Sequence, residues 1–135
     1  MLRTAASLVA RSLVAVSLCA GLGAGADVAQ ARGDPRSAET TILVAQLPRQ
    51  GQQTYTLIHQ GGPFAHDKDG VVFGNRERLL PPKRRGYYRE YTVETPGARN
   101  RGARRIVCGG VQRTQPDACW YTSDHYSSFK RIVEP

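Results

Sequence analysis

Little in this chain is suited to holding a metal ion. It has three cysteines and three histidines in 135 residues. No C-x-x-C pair occurs, and His59, His66 and His125 show no ligand spacing with a thiol or a carboxylate. Neither a metal nor any other cofactor is therefore expected. The length allows one domain at most besides a tail or targeting segment, which excludes a dinucleotide-binding dehydrogenase, a kinase or a barrel enzyme. Acidic residues are also scarce: 11 against 19 basic ones, for a net charge of +8. That surplus suits an anionic partner such as nucleic acid, an acidic polysaccharide or a membrane surface, with simple solubility as the plain alternative.

The apolar run at residues 12–20 carries no charge and follows Arg3 and Arg11. It is too short and too soon interrupted by glycine to span a bilayer comfortably. Small residues follow it and end in Ala29-Gln30-Ala31, the A-x-A pattern of a signal-peptidase site. Residues 1–31 read as a secretory signal cleaved after Ala31, with Ala26 as a second candidate. Cleavage leaves 104 residues, and because Arg3, Arg11 and Asp27 depart, the net charge becomes +7. Cys19 departs as well, so the exported chain keeps Cys108 and Cys119. An isolated pair in an oxidising compartment favours a disulfide over a metal site or a nucleophile.

Residues 32–41 lack apolar periodicity and read as a flexible arm. Pro48 can open a helix whose apolar side carries Tyr55, Leu57 and Ile58, and Gly61-Gly62-Pro63 stops it. Gly51 and the threonines weaken that helix. Beyond it the pattern turns to strands. Residues 71–73 form a short buried strand entered through Asp69-Gly70. Residues 87–93 alternate strictly, placing Tyr88, Glu90 and Thr92 on one face. Strands follow at 104–108, 119–122 and 129–133, with turns at Pro96-Gly97, Gly109-Gly110 and Pro116-Asp117. A short helix followed by an antiparallel meander is an α+β pattern.

Glu90 lies mid-strand, where a carboxylate either faces solvent or lines a concave site on the sheet. Arg99, Arg101, Arg104 and Arg105 follow within seven residues. Four guanidiniums so close repel one another unless an anion or carboxylate sits among them, although a solvated basic loop is the bland alternative. Alternation puts Arg105 on the face opposite Arg104, so only some can converge on one ligand. Arginine suits phosphate because its planar fork donates paired hydrogen bonds. His125, in the polar turn Ser123-Asp124-His125-Tyr126, can carry a proton near neutral pH. A carboxylate to take a proton, an imidazolium to give one and arginines for a phosphoryl group equip a site for metal-free cleavage of RNA through its own 2′-hydroxyl.

The blocks around these residues carry a resemblance. They are Gly62-Pro63-Phe64, Asp69 to Glu77, Gly86 to Val93, Thr95 to Ile106 and Asp124-His125-Tyr126. In order and spacing they closely resemble the secreted microbial guanyl-specific ribonucleases of the ribonuclease Sa type, and barnase more remotely, over about residues 42–133. The resemblance implies an α+β fold with one helix on an antiparallel sheet and a ribonuclease domain at residues 42–135. It implies an endonuclease acting on single-stranded RNA after guanosine, through a 2′,3′-cyclic phosphate to the 3′-phosphate. Glu90 would be the general base and His125 the general acid, with Arg101, Arg105 and Tyr126 at the phosphate. Glu77 would accept from the ring N–H and amino group of guanine, a donor pair that adenine lacks. Backbone N–H groups of Gly74, Asn75 and Arg76 would bind O6 and N7, with Phe73 and Arg76 near the base. The expected state is a secreted monomer, free of the membrane once the signal is cleaved, with a barstar-like inhibitor as a further partner.

Some residues depart from the family pattern. Leu43 occupies the place of a family cysteine and no cysteine follows Cys119, so Cys108–Cys119 would be a different bridge; the alternative is a free, buried Cys108 with Cys119 unpaired. Gly74 replaces a larger polar side chain, and the connection from Arg113 to Ala118 is longer. Two rival functions remain in view. A catalytically idle RNA-binding or inhibitor-binding module would be expected to lose one of Glu90, Arg101, Arg105 and His125. A membrane-active cationic protein would need a basic amphipathic helix, and the one helix is not basic.

Overall fold

The computed structural model describes residues 39–135. The expected signal segment, Cys19 and most of the expected arm, residues 32–38, lie outside the described residues. Within them the order is strand β1 (Thr41–Leu43), a 3-10 turn (Val44–Gln46), helix α1 (Arg49–Gln60) and strands β2 (Val71–Val72), β3 (Tyr88–Thr92), β4 (Arg105–Gly109), β5 (Ala118–Thr122) and β6 (Lys130–Val133). The strands form one sheet in the order β1-β6-β5-β4-β3-β2. All neighbours are antiparallel except β1 and β6, which run parallel. Helix and sheet give the expected α+β architecture. No described helix is long and apolar enough to cross a membrane.

Helix α1 begins where Pro48 accepts from the Gln52 N–H and ends on Gly61. Gly61 adopts φ 85°, and the N–H groups of Gly61 and Gly62 cap the carbonyls of Ile58 and Leu57. Gly51, Thr54 and Ile58 are buried at helical spacing, and Thr54 donates to the Thr92 carbonyl at 3.0 Å. Gly51 serves packing: a Cβ there would sit 3.3 Å from the Leu47 Cβ. Its missing side chain lets the helix lie close, which offsets the helical propensity it lacks.

Two apolar clusters flank the sheet. Leu47 and Ile58 pack with Tyr91, Val93, Ile106, Cys108, Cys119, Tyr121 and Ile132 on the helix side. On the other side Tyr88, Val107 and Trp120 join Leu80, with Phe73, Tyr126 and Phe129 against them. Alternation along the strands therefore places Tyr88, Glu90 and Thr92 on the face away from the helix.

Four expectations need correction. The segment at 71–73 is a two-residue edge strand, with Val71 and Val72 40% and 37% exposed, because nothing pairs beyond β2. The sheet is not a pure antiparallel meander, since β1 adds a parallel edge through Thr41, Ile42 and Leu43. The arm therefore does not extend to residue 41. Even Glu39 is engaged, accepting from Trp120 Nε1 at 2.9 Å and from Arg131 at 3.4 Å. The last strand starts at Lys130, leaving Phe129 free to pack beside Phe73 and Tyr126.

Cys108 and Cys119 face each other across β4 and β5 and are joined as a disulfide. The bridge lies within the helix-side core.

Candidate active site

The register of the sheet builds the site in rows. Glu90 pairs with Val107, which pairs with Trp120; one row on, Thr92 pairs with Arg105, which pairs with Thr122. Side chains in these two rows project from the same face. A cleft of about 600 Å³ opens beside Glu90, lined by residues 73–77 and by Leu79, Glu90, His125, Tyr126, Ser127 and Phe129.

Glu90 is held on both oxygens. Oε1 accepts from Arg101 Nη2 at 3.3 Å and Oε2 accepts from the Tyr126 hydroxyl at 2.7 Å. Its side chain is only 13% exposed, so these donors stabilise a carboxylate that water reaches poorly. Arg101 is itself oriented, its Nε donating to Thr92 Oγ1 at 3.0 Å and its Nη2 lying 4.0 Å from Asp69 Oδ1. That Asp69 oxygen also accepts from the Thr92 N–H at 2.7 Å. Burial, and then the bond to Glu90, push the Tyr126 phenol up to about 12, so it stays a donor across the neutral range.

Arg105 is 3% exposed. Its Nη1 donates to the carbonyls of Arg101, Gly102 and Arg104, while its buried Nε has no partner. The guanidinium lies 6.0 Å from the centre of the Tyr126 ring. A buried cation with an unpaired N–H beside a cleft is suited to an anion. Arg104 projects from the opposite face, as alternation requires, and its charge is felt by Tyr121. Arg101 and Arg105 flank the cleft through Glu90 and Tyr126 and do not line it directly.

The turn carrying His125 is tied at several points. Thr122 Oγ1 donates to Asp124 Oδ1 and accepts from the Tyr126 N–H. Asp124 also accepts from the Ser128 N–H and hydroxyl, bonds that hold its carboxyl below the usual carboxylate range. His125 and Tyr126 consequently adopt φ 53° and 70°, a pair of left-handed residues that the surrounding bonds must sustain. The His125 N–H donates to the Ala103 carbonyl at 3.0 Å, tying the histidine turn to the arginine loop. The exposed imidazole lies 4.8 Å from the Tyr126 ring, tilted 51° to it.

The loop at residues 73–80 forms the far wall. The Phe73 N–H donates to the Tyr88 carbonyl, and its ring lies 5.0 Å from Tyr126. The Asn75 amide clamps the loop by donating to the Leu80 carbonyl and accepting from the Leu80 N–H. Glu77 is exposed at the cleft wall. Gly74 leaves that wall open, for a Cβ there would touch only the Arg76 side chain, at 3.7 Å or more.

The structure thus gathers Phe73, Gly74, Asn75, Arg76, Glu77, Glu90, His125 and Tyr126 at one cleft. Sequence reasoning missed Leu79, Ser127 and Phe129 in its lining, and Asp69, Thr92 and Thr122 as supports; it marked Asp124 only as the neighbour of His125. Of these, only the Asp69-Gly70 turn and the polar run before His125 left a signal.

The chain is similar to known proteins. A family model described as ribonuclease matches residues 30–133. Guanyl-specific ribonuclease Sa3 of Kitasatospora aureofaciens is 54% identical over 91 residues, which are 67% of this chain and 62% of that protein. The chain thus spans less than two thirds of that relative's length. Guanyl-specific ribonuclease Sa of the same organism is 51% identical over 92 residues, 68% of this chain and 92% of the relative. A crystal structure of ribonuclease Sa2 with guanosine-2′-cyclophosphate superposes with a TM-score of 0.65 at 43% identity, covering 72% of this chain and 98% of that one.

Proposed function

Because this chain belongs to the ribonuclease family, we propose that it is an endoribonuclease that cuts single-stranded RNA on the 3′ side of guanosine without a metal ion. The observation that carries the reading is the clustering of Glu90, Arg101, Arg105, His125 and Tyr126 beside a cleft whose far wall is the loop bearing Glu77. An idle binding module has no need of this complete set.

In this reading Glu90 removes the proton of the ribose 2′-hydroxyl, and O2′ attacks the adjacent phosphorus. The bond to the 5′-oxygen of the next nucleotide breaks in line, and His125 protonates that oxygen. Arg101 and Arg105, with the buried Nε of Arg105 as an unused donor, offset the charge that grows on the phosphoryl oxygens. Water then opens the 2′,3′-cyclic phosphate, with His125 as base and Glu90 as acid. Glu77 accepts from the N1–H and amino group of guanine, while the backbone N–H groups of residues 74–76 meet O6 and N7. Phe73 and Arg76 pack near the base.

The leader pattern of residues 1–31 and the Cys108–Cys119 bridge support export, with action outside the cell as a monomer. A barstar-like inhibitor is the expected protein partner.

A time course on GpA tests the chemistry. Guanosine 2′,3′-cyclic phosphate should accumulate first and then convert to the 3′-phosphate. The transesterification rate should follow a bell in pH, its acid limb lost in Glu90→Gln and its alkaline limb lost in His125→Ala. A bell kept intact in both variants would overturn the assignment.

A further inference from the structure

Strand β2 pairs only with Arg89 and Glu90, so among the described residues no strand lies on that side of β3 at Thr92. Side chains take the place of the missing ladder. Asp69 Oδ1 accepts the Thr92 N–H at 2.7 Å, and the Thr54 hydroxyl of helix α1 donates to the Thr92 carbonyl at 3.0 Å. Asp69 is itself fixed from both sides. The His66 N–H donates to its Oδ2 at 3.3 Å, and the N–H of the next residue, Gly70, donates to the Glu90 carbonyl. Thr92 is therefore tied through both of its backbone groups, and its side chain is buried. A hydroxyl mounted this way has a fixed position.

That hydroxyl is the acceptor for Arg101 Nε, at 3.0 Å. The bond matters because two carboxylates draw on the same guanidinium. Arg101 Nη2 lies 3.3 Å from Glu90 Oε1 and 4.0 Å from Asp69 Oδ1. Both distances exceed the roughly 2.7–2.9 Å of a close charge-assisted bond. The Asp69 side chain is only 4% exposed, and Arg101 is its one salt-bridge partner among the described residues. Released from Thr92, the Nε–Nη2 edge could turn onto Glu90 as a paired fork and occupy the base. Pinned by Thr92, it leaves Nη1 without a hydrogen bond among the described residues. We propose that Thr92 is a positioning residue for the transesterification: its hydroxyl, held in place by Asp69 and Thr54, sets Arg101 so that one edge stays beside Glu90 and the other meets the scissile phosphate. The proposal rests on the ribonuclease reading above and adds to it a residue outside the lining of the cleft.

The test is a double-mutant cycle in the full chain, with GpA as substrate. Thr92→Val keeps size and branching and removes the acceptor; Arg101→Ala removes the group it positions. Thr92→Val should lower kcat on the order of tenfold, the loss of a bond to a charged group, with KM unchanged. Thr92→Ser, which keeps the hydroxyl, should hold the parental kcat. In an Arg101→Ala background, Thr92→Val should bring no further loss, because the two residues act through one contact. Should Thr92→Val fail to fold, Thr92→Ala takes its place in the cycle. Guanosine carries no phosphate, so its competitive inhibition should be equal in the parent and the Thr92 variants. A Thr92 that only supports the fold gives other results: equal loss in Val and Ser, losses that multiply in the double variant, or weaker inhibition by guanosine. Any of these, or an unchanged kcat in Thr92→Val, would overturn the proposal and leave the ribonuclease reading intact. A parent that does not cut GpA would overturn both.

Discussion

Glu90 takes one hydrogen bond from a cation and one from a phenol, and the phenol belongs to the residue next to His125. The acid, base and phosphate arginines of the proposed mechanism would therefore be coupled through Tyr126. Tyr126→Phe keeps the ring packed on Phe73 but removes the donor to Glu90 Oε2, so kcat/KM on GpA should fall by about 1.5–3 kcal/mol in transition-state terms, the range for a bond to a charged group. Steady-state kinetics, with circular dichroism to confirm an intact fold, checks it; unchanged kcat/KM would mean the hydroxyl serves only packing. Glu77 offers a second test. Glu77→Gln sets an amide N–H₂ or a neutral oxygen against guanine's donors, and GpN cleavage should drop by a few kcal/mol while ApN changes little. An undiminished preference for G would place the base reader elsewhere. Glu90, His125, Arg101 and Arg105 could be singled out in the sequence because their residue types, in that order, suit the proposed chemistry. Thr122 and Asp69 could not, because they act by accepting backbone N–H groups, and such roles appear only once the chain has folded.

Among the elements, β3, β4 and β5 matched their sequence signals to within a residue at most boundaries, since alternation over five residues with flanking turns is a strong local pattern. Strand β1 escaped notice because three residues are too few to show a period and its partner lies at the other end of the sequence. The edge strand β2 was misjudged as buried because Val71 and Val72 are apolar, yet hydrophobicity does not report whether another strand follows. The pairing of Cys108 and Cys119 depended on register: one residue of slip would turn the two side chains to opposite faces. In the chain-entropy view, closing this short loop stabilises the fold by about 3 kcal/mol. Cys108→Ala/Cys119→Ala should therefore lower Tm on the order of 10 °C in calorimetry. A double variant melting with the parent would show that the core alone fixes the β4–β5 pair.

At the scale of the whole molecule, six tyrosines are distributed over both faces of the sheet, and burial raises every one of their phenols. Tyr55, Tyr88 and Tyr126 are pushed up to about 12 from an ordinary value of 10.0. Between those values the unfolded chain releases protons that the folded chain keeps, so the phenols' contribution to stability is full below about pH 10 and is lost as pH rises toward 12. Denaturant titrations at stepped alkaline pH, read beside phenolate absorbance, should show that loss begin above pH 10; phenols that all titrate at 10.0 in the native protein would contradict it. A positive net charge, +8 for the full chain and +7 once the expected leader is removed, suits attraction of a polyanion toward the cleft. The central claim concerns what happens to that polyanion. The most direct measurement incubates the protein with ApA, CpA, GpA and UpA in excess EDTA and identifies the products. The account predicts that GpA is cut far faster than the other three, giving guanosine 2′,3′-cyclic phosphate and adenosine; loss of cleavage in EDTA, or ApA cut as fast as GpA, would contradict it.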